Sequence, residues 1–181
     1  MTLVELGDLG AEALEQLARL TLPAAREHAP EWLVDLDAAR DEIAEALAPD
    51  KVARALLDAG GEPVGWVAVE HAWGRLWDLH PLIVGIEHQR RGHGRTLVRE
   101  VERLAAAAGG LTMILGTSDT TGATSLFGAD PYDDTLARLA GLALRQPHPV
   151  GFWRRIGYQV VGIEPDAEGP GKPSIRLARR L

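Results

Sequence analysis

The order of apolar patterns along this chain predicts an α/β protein, with a mixed and mostly antiparallel sheet flanked by helices on both faces. Three observations carry that expectation. Short apolar runs suited to strands alternate with segments of helical spacing in the order β-αα-βββ-α-β-α-β-β. Polar turns containing glycine separate the three central strand patterns. One long amphipathic segment, 92–108, opens at a glycine loop and closes at Gly109-Gly110.

Residues 3–6 read as a first strand, and within 9–20 Leu14, Leu17 and Ala18 recur at helical spacing. Pro23 and Pro30 punctuate the next stretch. A second helix is expected to begin near Pro30, because proline suits a first turn, and to bury Leu33, Leu36, Ile43 and Leu47 until Pro49-Asp50 ends it. Strand patterns at 52–57 and 64–69, separated by Asp58-Ala59-Gly60-Gly61-Glu62, spell a hairpin. A third strand over 75–84 comes after a turn near Gly74. In the segment 92–108, Leu97, Val98, Val101, Leu104, Ala105 and Ala108 form one helical stripe. Residues 111–115 suit a buried parallel strand, and 116–146 is polar and glycine-rich with a helix expected from Pro131 to Leu144. A short helix from His148 through Ile156, a strand over 158–163, a proline- and glycine-rich loop over 165–173 and a strand from Ser174 complete the order. No repeat, low-complexity tract or linker interrupts it, so a single domain over 1–181 is expected.

Composition narrows the function classes. At 181 residues, with 46% hydrophobic and 25% charged residues, the chain can build a substantial core. It has no cysteine, which removes disulfides, a thiolate nucleophile and Cys-ligated zinc, and no metal site is expected. Its start lacks a basic segment leading into an apolar one, and no apolar run approaches the roughly 20 residues of a membrane span, so a soluble cytoplasmic protein is expected. A formal net charge of -7 argues against nucleic acid as a partner and suits a cationic one. The acid is concentrated early, at Glu27, Glu31, Asp35, Asp37, Asp41, Glu42 and Glu45; most of it reads as a solvated helix face, and only residues turned toward a cleft can hold a ligand.

The sharpest local signal is Gln89-Arg90-Arg91-Gly92-His93-Gly94-Arg95-Thr96, set between the apolar run Leu79-His80-Pro81-Leu82-Ile83-Val84 and the amphipathic segment. It reads as strand, anion-cradling loop, helix. Glycines let the backbone approach an anion, the first amides of the helix point at it, and Arg90, Arg91 and Arg95 add charged donors. Turns also use glycine without binding anything, so the spelling has to discriminate. Neither a nucleotide-hydrolase loop nor a dinucleotide fingerprint fits, because there is no Gly-Lys-[Ser/Thr] ending and Leu97 stands where a third glycine is needed. The remaining pattern, [Gln/Arg]-x-x-Gly-x-Gly, resembles the coenzyme A diphosphate loop of the GNAT acetyltransferases.

Further words resemble a narrower group, the aminoglycoside 6'-N-acetyltransferases. They are Leu76-Trp77-Asp78-Leu79-His80-Pro81-Leu82-Ile83-Val84, Leu115-Gly116-Thr117-Ser118-Asp119, His148-Pro149-x-x-Phe152-Trp153-Arg154-Arg155-Ile156-Gly157-Tyr158, and Val161-Gly162-Ile163 followed by Pro165-Asp166-Ala167-x-Gly169-Pro170-x-Lys172-Pro173. The resemblance runs from Leu76 to the C-terminus and leaves the first third of the chain uncovered.

The resemblance implies the GNAT fold and direct transfer of acetyl from acetyl-coenzyme A to the 6' amine of an aminoglycoside, without a covalent enzyme intermediate. It implies cofactor contacts from Leu82, Ile83, Val84, the loop Gln89 to Thr96 (Gln89, Arg90, Arg91, Gly92, His93, Gly94, Arg95, Thr96), Thr117, Phe152, Trp153 and Arg155. Asp78 matches an acidic position, usually Glu, that accepts the proton of the attacking amine directly or through water. His80 matches a histidine that tunes or orients the site and is as readily a structural residue. The backbone N–H of Leu82 matches the donor that polarises the thioester carbonyl. Trp153 departs from the pattern, which has a Tyr there to protonate the departing thiolate; an indole cannot do so usefully. Tyr158 reads as a core residue of the next strand. Glu31, Asp119, Asp130, Asp133 and Asp134 are candidates to line a cleft for a polycation, although Asp130 also suits an N-cap and Asp133 a first helical turn. Family members are often dimers, so the resemblance allows a homodimer and the sequence leaves the oligomeric state open. Two other readings remain open at this level: an acetyltransferase of a polyamine, peptide or metabolite amine, and a non-catalytic acyl-coenzyme A binding module.

Overall fold

The turns of the central meander are made by the residues that the sequence places there. In the computed structural model, which describes residues 1–130 and 132–181, β1 (Thr2–Glu5), β2 (Lys51–Leu57), β3 (Pro63–Trp73) and β4 (Leu76–Val84) pair antiparallel in succession. Between β2 and β3 the Asp58 carboxylate accepts from the N–H groups of Gly60 at 2.8 Å and Glu62 at 3.0 Å, and Gly61 takes a φ of 88°. Such an Asx turn gives the backbone partners that the ladder cannot supply. Gly74, at φ 60°, makes the second turn. With β5 (Thr112–Ser118), β6 (Gln159–Glu164) and β7 (Ser174–Arg180), the strands form a seven-stranded mixed, mostly antiparallel sheet in the order β1-β2-β3-β4-β5-β7-β6.

The chain divides into two compact units, Met1–Met113 with Arg180–Leu181, and Ile114–Arg179. In the first, α1 (Ala11–Arg26) and α2 (Leu36–Ala46) cover one face of the meander. Ala53 and Ala55 of β2, Trp66 and Ala68 of β3 and Ile83 of β4 share a core with Leu17, Ala18, Ala24 and Ala25 of α1 and Ala39 and Ile43 of α2. The many alanines let helix and sheet approach closely around the one large ring, Trp66. Its Nε1 donates to Thr21 Oγ1 at 2.8 Å, and that hydroxyl donates to the Leu17 carbonyl at 2.7 Å, so the buried polar atoms are satisfied. The alternate residues Val67, Val69 and Leu79 are buried on the other face, which α3 (His93–Ala107) covers with Leu97, Val98, Val101 and Ala105. The ion pair of Arg54 on β2 with Glu100 on α3, 3.9 Å, lies on that second face.

One irregularity in β4 decides which side chains share a face. Val67 pairs with Leu82 and Val69 with Leu79, so β4 spends His80 and Pro81 opposite Ala68 alone. This is a bulge of one extra residue. Regular alternation would put Asp78 and Ile83 on opposite faces. Instead their partners are Glu70 and Trp66, which share a face of β3, and both lie on the α1–α2 side.

The second unit holds β6 and β7, paired antiparallel, with α4 (Thr135–Ala140) and α5 (Pro149–Arg155). In the loop joining the two strands the Asp166 carboxylate accepts from the Gly171 N–H at 2.7 Å.

Four expectations need correcting. Helix α1 continues through Pro23 to Arg26, because Ala24 and Ala25 are buried beyond it and packing holds the last turn despite the missing N–H. Helix α2 starts at Leu36 rather than near Pro30, since the Asp35 carboxylate caps the Ala38 N–H at 2.9 Å. Leu33 is therefore buried from a loop, and Leu47, beyond the helix end, is 40% exposed. Helix α4 is shorter than expected and ends at Ala140, with Leu144 instead bridging to Thr124. Its expected start at Pro131 lies outside the described residues. Among the described residues no helix is long and apolar enough to cross a membrane.

Between β3 and β4 there is no room for a side chain at Gly65, where an added Cβ would lie 2.5 Å from the Ile83 carbonyl oxygen and 3.1 Å from the Val84 Cα. Gly65→Ala is expected to lower the free energy of unfolding by about 3 kcal/mol, measured by urea denaturation.

Candidate active site

The hairpin register lines up charge across three strands. Lys51 pairs with Glu70, and Glu70 pairs with Asp78, so a base and two carboxylates stand in one row on the α2 side of the sheet. Helix α2 adds Glu42 and Glu45, whose spacing of three residues puts them on one helix face. Glu45 meets the Lys51 ammonium at 2.6 Å, Glu70 lies 3.8 Å from it, and Glu42 lies 3.5 Å from His80 Nε2. The side chains of Lys51 and Glu42 are each only 13% exposed, so the charges meet in a partly dehydrated setting. Burial works against the charge on Lys51, but the bond to Glu45 and the charges of Glu70 and Glu42 hold its pKa above the usual value. The bond and charge of Lys51, and more weakly His80, lower the pKa of Glu45.

His80 and Asp78 both reach this face, in spite of the bulge between Asp78 and Leu82. The His80 ring packs on Trp32, with centroids 5.1 Å apart, and remains accessible with 58% of its side chain exposed. Asp78 is half-buried. Four carboxylates against one lysine favour an ammonium group brought from solvent, and a half-buried carboxylate among them can accept its proton.

The glycine loop is built from the end of β4. Gly85 donates to the Val64 carbonyl at 3.0 Å, and the Gln89 amide donates to the Val84 carbonyl at 3.3 Å and to Glu27 at 3.0 Å. The Gln89 side chain thus anchors the loop to β4 and to the end of α1. Arg90 and Gly92 turn the chain at φ 60° and 89°, and an added Cβ on Gly92 would meet nothing within 4 Å. The Thr96 N–H closes onto the Gly92 carbonyl at 3.1 Å, which leaves the amides of His93, Gly94 and Arg95 at the helix start without intrahelical acceptors. Arg90, Arg91 and Arg95 are exposed around them. These groups fit a diphosphate: open backbone donors, the positive end of a four-turn helix and guanidinium side chains. The His93 ring is an exception, since its Nε2 is buried without a partner and burial, His88 and Arg91 lower its pKa. The ring stays neutral and inward, and only the backbone of His93 can serve an anion.

In the second unit, Asp119 has no exposed surface. Its carboxylate accepts from the N–H groups of Thr121 at 3.3 Å, Ala123 at 2.9 Å and Thr124 at 2.7 Å. The expectation that it lines a substrate cleft is corrected: it folds the loop after β5. Desolvation opposes its charge, but the bonds from Thr124 and Ala123 and the nearby His148 hold its pKa below the usual carboxylate value. His148 Nδ1 accepts from the Val150 N–H at 3.3 Å, which leaves Nε2–H to donate to the Ser118 carbonyl at 3.1 Å. Asp130 accepts from the Tyr132 N–H at 3.0 Å, and Asp133 pairs with Arg138 at 2.9 Å, so both exposed carboxylates have local partners. Asp134 takes φ 52° ahead of α4, and Glu31 is exposed in the first unit. Thr117 and Phe152 are half-buried and Arg155 is exposed. Trp153 is 5% exposed, stacked edge-on between Phe152 and Tyr158 at centroid distances of 5.0 Å, so its indole packs α5 rather than presenting a surface to a ligand. Tyr158 is fully buried, as a core residue should be.

Sequence reasoning missed Lys51, Glu70 and Trp32 as members of the candidate site, and the place of Glu42 and Glu45 in it. The helical spacing of Glu42 and Glu45 was a usable signal. The opposition of Glu70 to Asp78 results from closing the hairpin at Gly74, and could have been read from the turn. Trp32 carried none.

A sequence model described as the acetyltransferase (GNAT) family matches residues 11–129. Among solved structures the chain is similar to an aminoglycoside 6'-N-acetyltransferase complexed with coenzyme A, at 31% identity and TM-score 0.89 over 99% of this chain and 97% of that one. It is similar also to the aminoglycoside 6'-N-acetyltransferase from Enterococcus faecium, at 31% identity and TM-score 0.86 over 99% and 97% of the two chains. A third is aminoglycoside 6'-acetyltransferase type Ii, at 29% identity and TM-score 0.72 over the same shares of the two chains, 99% and 97%. No curated protein sequence matches the chain. The chain belongs to the GNAT acetyltransferase family. It is an N-acetyltransferase whose acetyl donor is acetyl-coenzyme A.

Removing the Asp119 carboxylate would strand three amides, two of them on buried residues. Asp119→Ala is expected to cost about 3 kcal/mol of stability, read by urea denaturation at pH 7. The folded-state pKa lies below the ordinary 3.8, so the contribution of Asp119 is fully present above that value and is lost as pH falls through the lowered one. The stability gap between wild type and Asp119→Ala should therefore narrow only under strongly acidic conditions.

Proposed function

We propose that this enzyme transfers acetyl from acetyl-coenzyme A to the 6' amine of an aminoglycoside. The observation that carries the reading is similarity at 31% identity along 99% of the chain to two aminoglycoside 6'-N-acetyltransferases. The carboxylate-rich face of β2, β3, β4 and α2 supports it, because an aminoglycoside is a polycation and acidic walls raise its local concentration.

In this reading the amides of residues 93–95 with Arg90, Arg91 and Arg95 would hold the diphosphate of the donor, and Leu82, Ile83 and Val84 would contact it. When bound, the donor supplies an activated thioester. Glu42, Glu70 and Asp78 draw the ammonium form of the acceptor to β4. An alkyl amine of this kind has a pKa near 10 and must lose a proton before it attacks, and Asp78 accepts that proton, directly or through a water that spans its short side chain. His80, held between Trp32 and Glu42, orients the acceptor. The backbone N–H of Leu82 polarises the thioester carbonyl. No exposed tyrosine stands at the Trp153 position, so the departing thiolate takes its proton from water; a thiol pKa of about 8.5 makes this feasible.

Thiol release from acetyl-coenzyme A should be measured across aminoglycosides with and without a 6' amine, with spermidine and a peptide as controls. Turnover confined to drugs with the 6' amine is expected. Turnover no better with those drugs than with spermidine or the peptide would replace the reading by one in which another amine is the substrate. Asp78→Asn is expected to lower kcat by about 100-fold or more while coenzyme A affinity, measured by calorimetry, changes little.

A further inference from the structure

The row across β2, β3 and β4 contains a feature that the assignment of Asp78 does not use. Glu70 stands directly opposite Asp78 in the ladder, where two carboxylates repel one another. Left alone, such a pair raises the pKa of one member, because both cannot be charged without cost. Here the next residue in the row is a base. Lys51 is paired in register with Glu70, with its Nζ 3.8 Å from the Glu70 carboxylate, and its side chain is only 13% exposed. Its ammonium also meets Glu45 at 2.6 Å.

We propose that Lys51 is a positioning residue: paired with Glu70, it offsets the carboxylate that faces Asp78 and so extends to lower pH the range over which Asp78 is in its proton-accepting form. The inference rests on the proposed role of Asp78. His80 on the same strand and Glu42 and Glu45 from α2 also bring charge to this face. Helix α1, which also packs on β4, is followed at its C-cap by Glu27, which is bonded to Gln89. On the opposite face α3 brings Glu100, paired with Arg103 and Arg54. Among the described residues, Lys51 is the cation of the register row Lys51, Glu70 and Asp78, and it stands 3.8 Å from the Glu70 carboxylate.

Without the ammonium, Glu70 faces Asp78 uncompensated, the protonated form of Asp78 is favoured, and the acid limb of the rate profile moves to higher pH. Glu70 is 47% exposed, which screens the effect. A shift of about 0.5 to 1 pH unit is expected in Lys51→Met, against a range of 1–3 units for well-buried opposite-charge neighbours.

The test is the pH dependence of kcat/KM for wild type, Lys51→Met, Lys51→Arg, Glu70→Gln, the Lys51→Met/Glu70→Gln double variant and Asp78→Asn, using whichever amine of the substrate panel turns over. Titration of the acceptor itself is common to all of them and cancels in the comparison. The proposal expects the upward shift in Lys51→Met, a limb close to wild type in Lys51→Arg, and less than half the shift when Lys51→Met is made in the Glu70→Gln background. A Lys51→Met limb that coincides with wild type, or a shift undiminished by Glu70→Gln, overturns it while Asp78→Asn still loses turnover. Wild-type turnover in Asp78→Asn instead overturns the base assignment, and this inference with it. Thermal melts across the pH range identify any variant that fails to fold, and the Lys51→Arg and Glu70→Gln comparisons then decide.

Discussion

The antiparallel ladder between β3 and β4, with an extra β4 residue at His80-Pro81, is the constraint on which the candidate site depends. A strand assigns its side chains to faces by parity alone, so one added residue exchanges the two faces for everything beyond it. Before the bulge, Asp78 joins Glu70 and Lys51 on the α2 side; after it, Ile83 returns to the same side and packs into the core with Trp66. The strand can thus carry charge at one end of a face and apolar packing at the other. Gly65 allows the two strands to approach beside Ile83, where any side chain would strike backbone.

The same strand sets the glycine loop. Gly85 bonds back to β3 through Val64, and the Gln89 amide bonds to the Val84 carbonyl at the end of β4. The chain then turns through Arg90 and Gly92 into α3, whose stripe of Leu97, Val98, Val101 and Ala105 fixes it on the face opposite α1 and α2. Anion donors and acidic row are therefore positioned by one strand and its two flanking bonds. Glu27, which also accepts from Gln89, joins the end of α1 to this arrangement.

Much of this was legible in the sequence for identifiable reasons. Asp58, Gly61 and Gly74 are turn residues with a mechanism, so the meander could be read, and the stripe of α3 ends at a glycine of φ 85° where expected. Asp78, His80 and the loop carried family words. The start of α2 was misread because Pro30 suggested a first turn, whereas the cap that operates is the Asp35 carboxylate. Asp119 carried a family word too, but a short acid before a polar loop spells a backbone-binding turn as readily as a ligand site, and three amides took it. Trp153 was read against a missing hydroxyl, whereas its ring packs between Phe152 and Tyr158. Lys51 and Glu70 were invisible because their meaning lies in cross-strand register, which single-residue patterns do not encode.

The most direct test of the account is a crystal structure with coenzyme A and an aminoglycoside bearing a 6' amine. The account predicts the 6' nitrogen on the α2 side of β4, within hydrogen-bond reach of Asp78 or of a water held by it, and the diphosphate on the amides of residues 93–95. A drug bound away from the Lys51, Glu70 and Asp78 row, or a 6' nitrogen turned from Asp78 with another amine in its place, would contradict it.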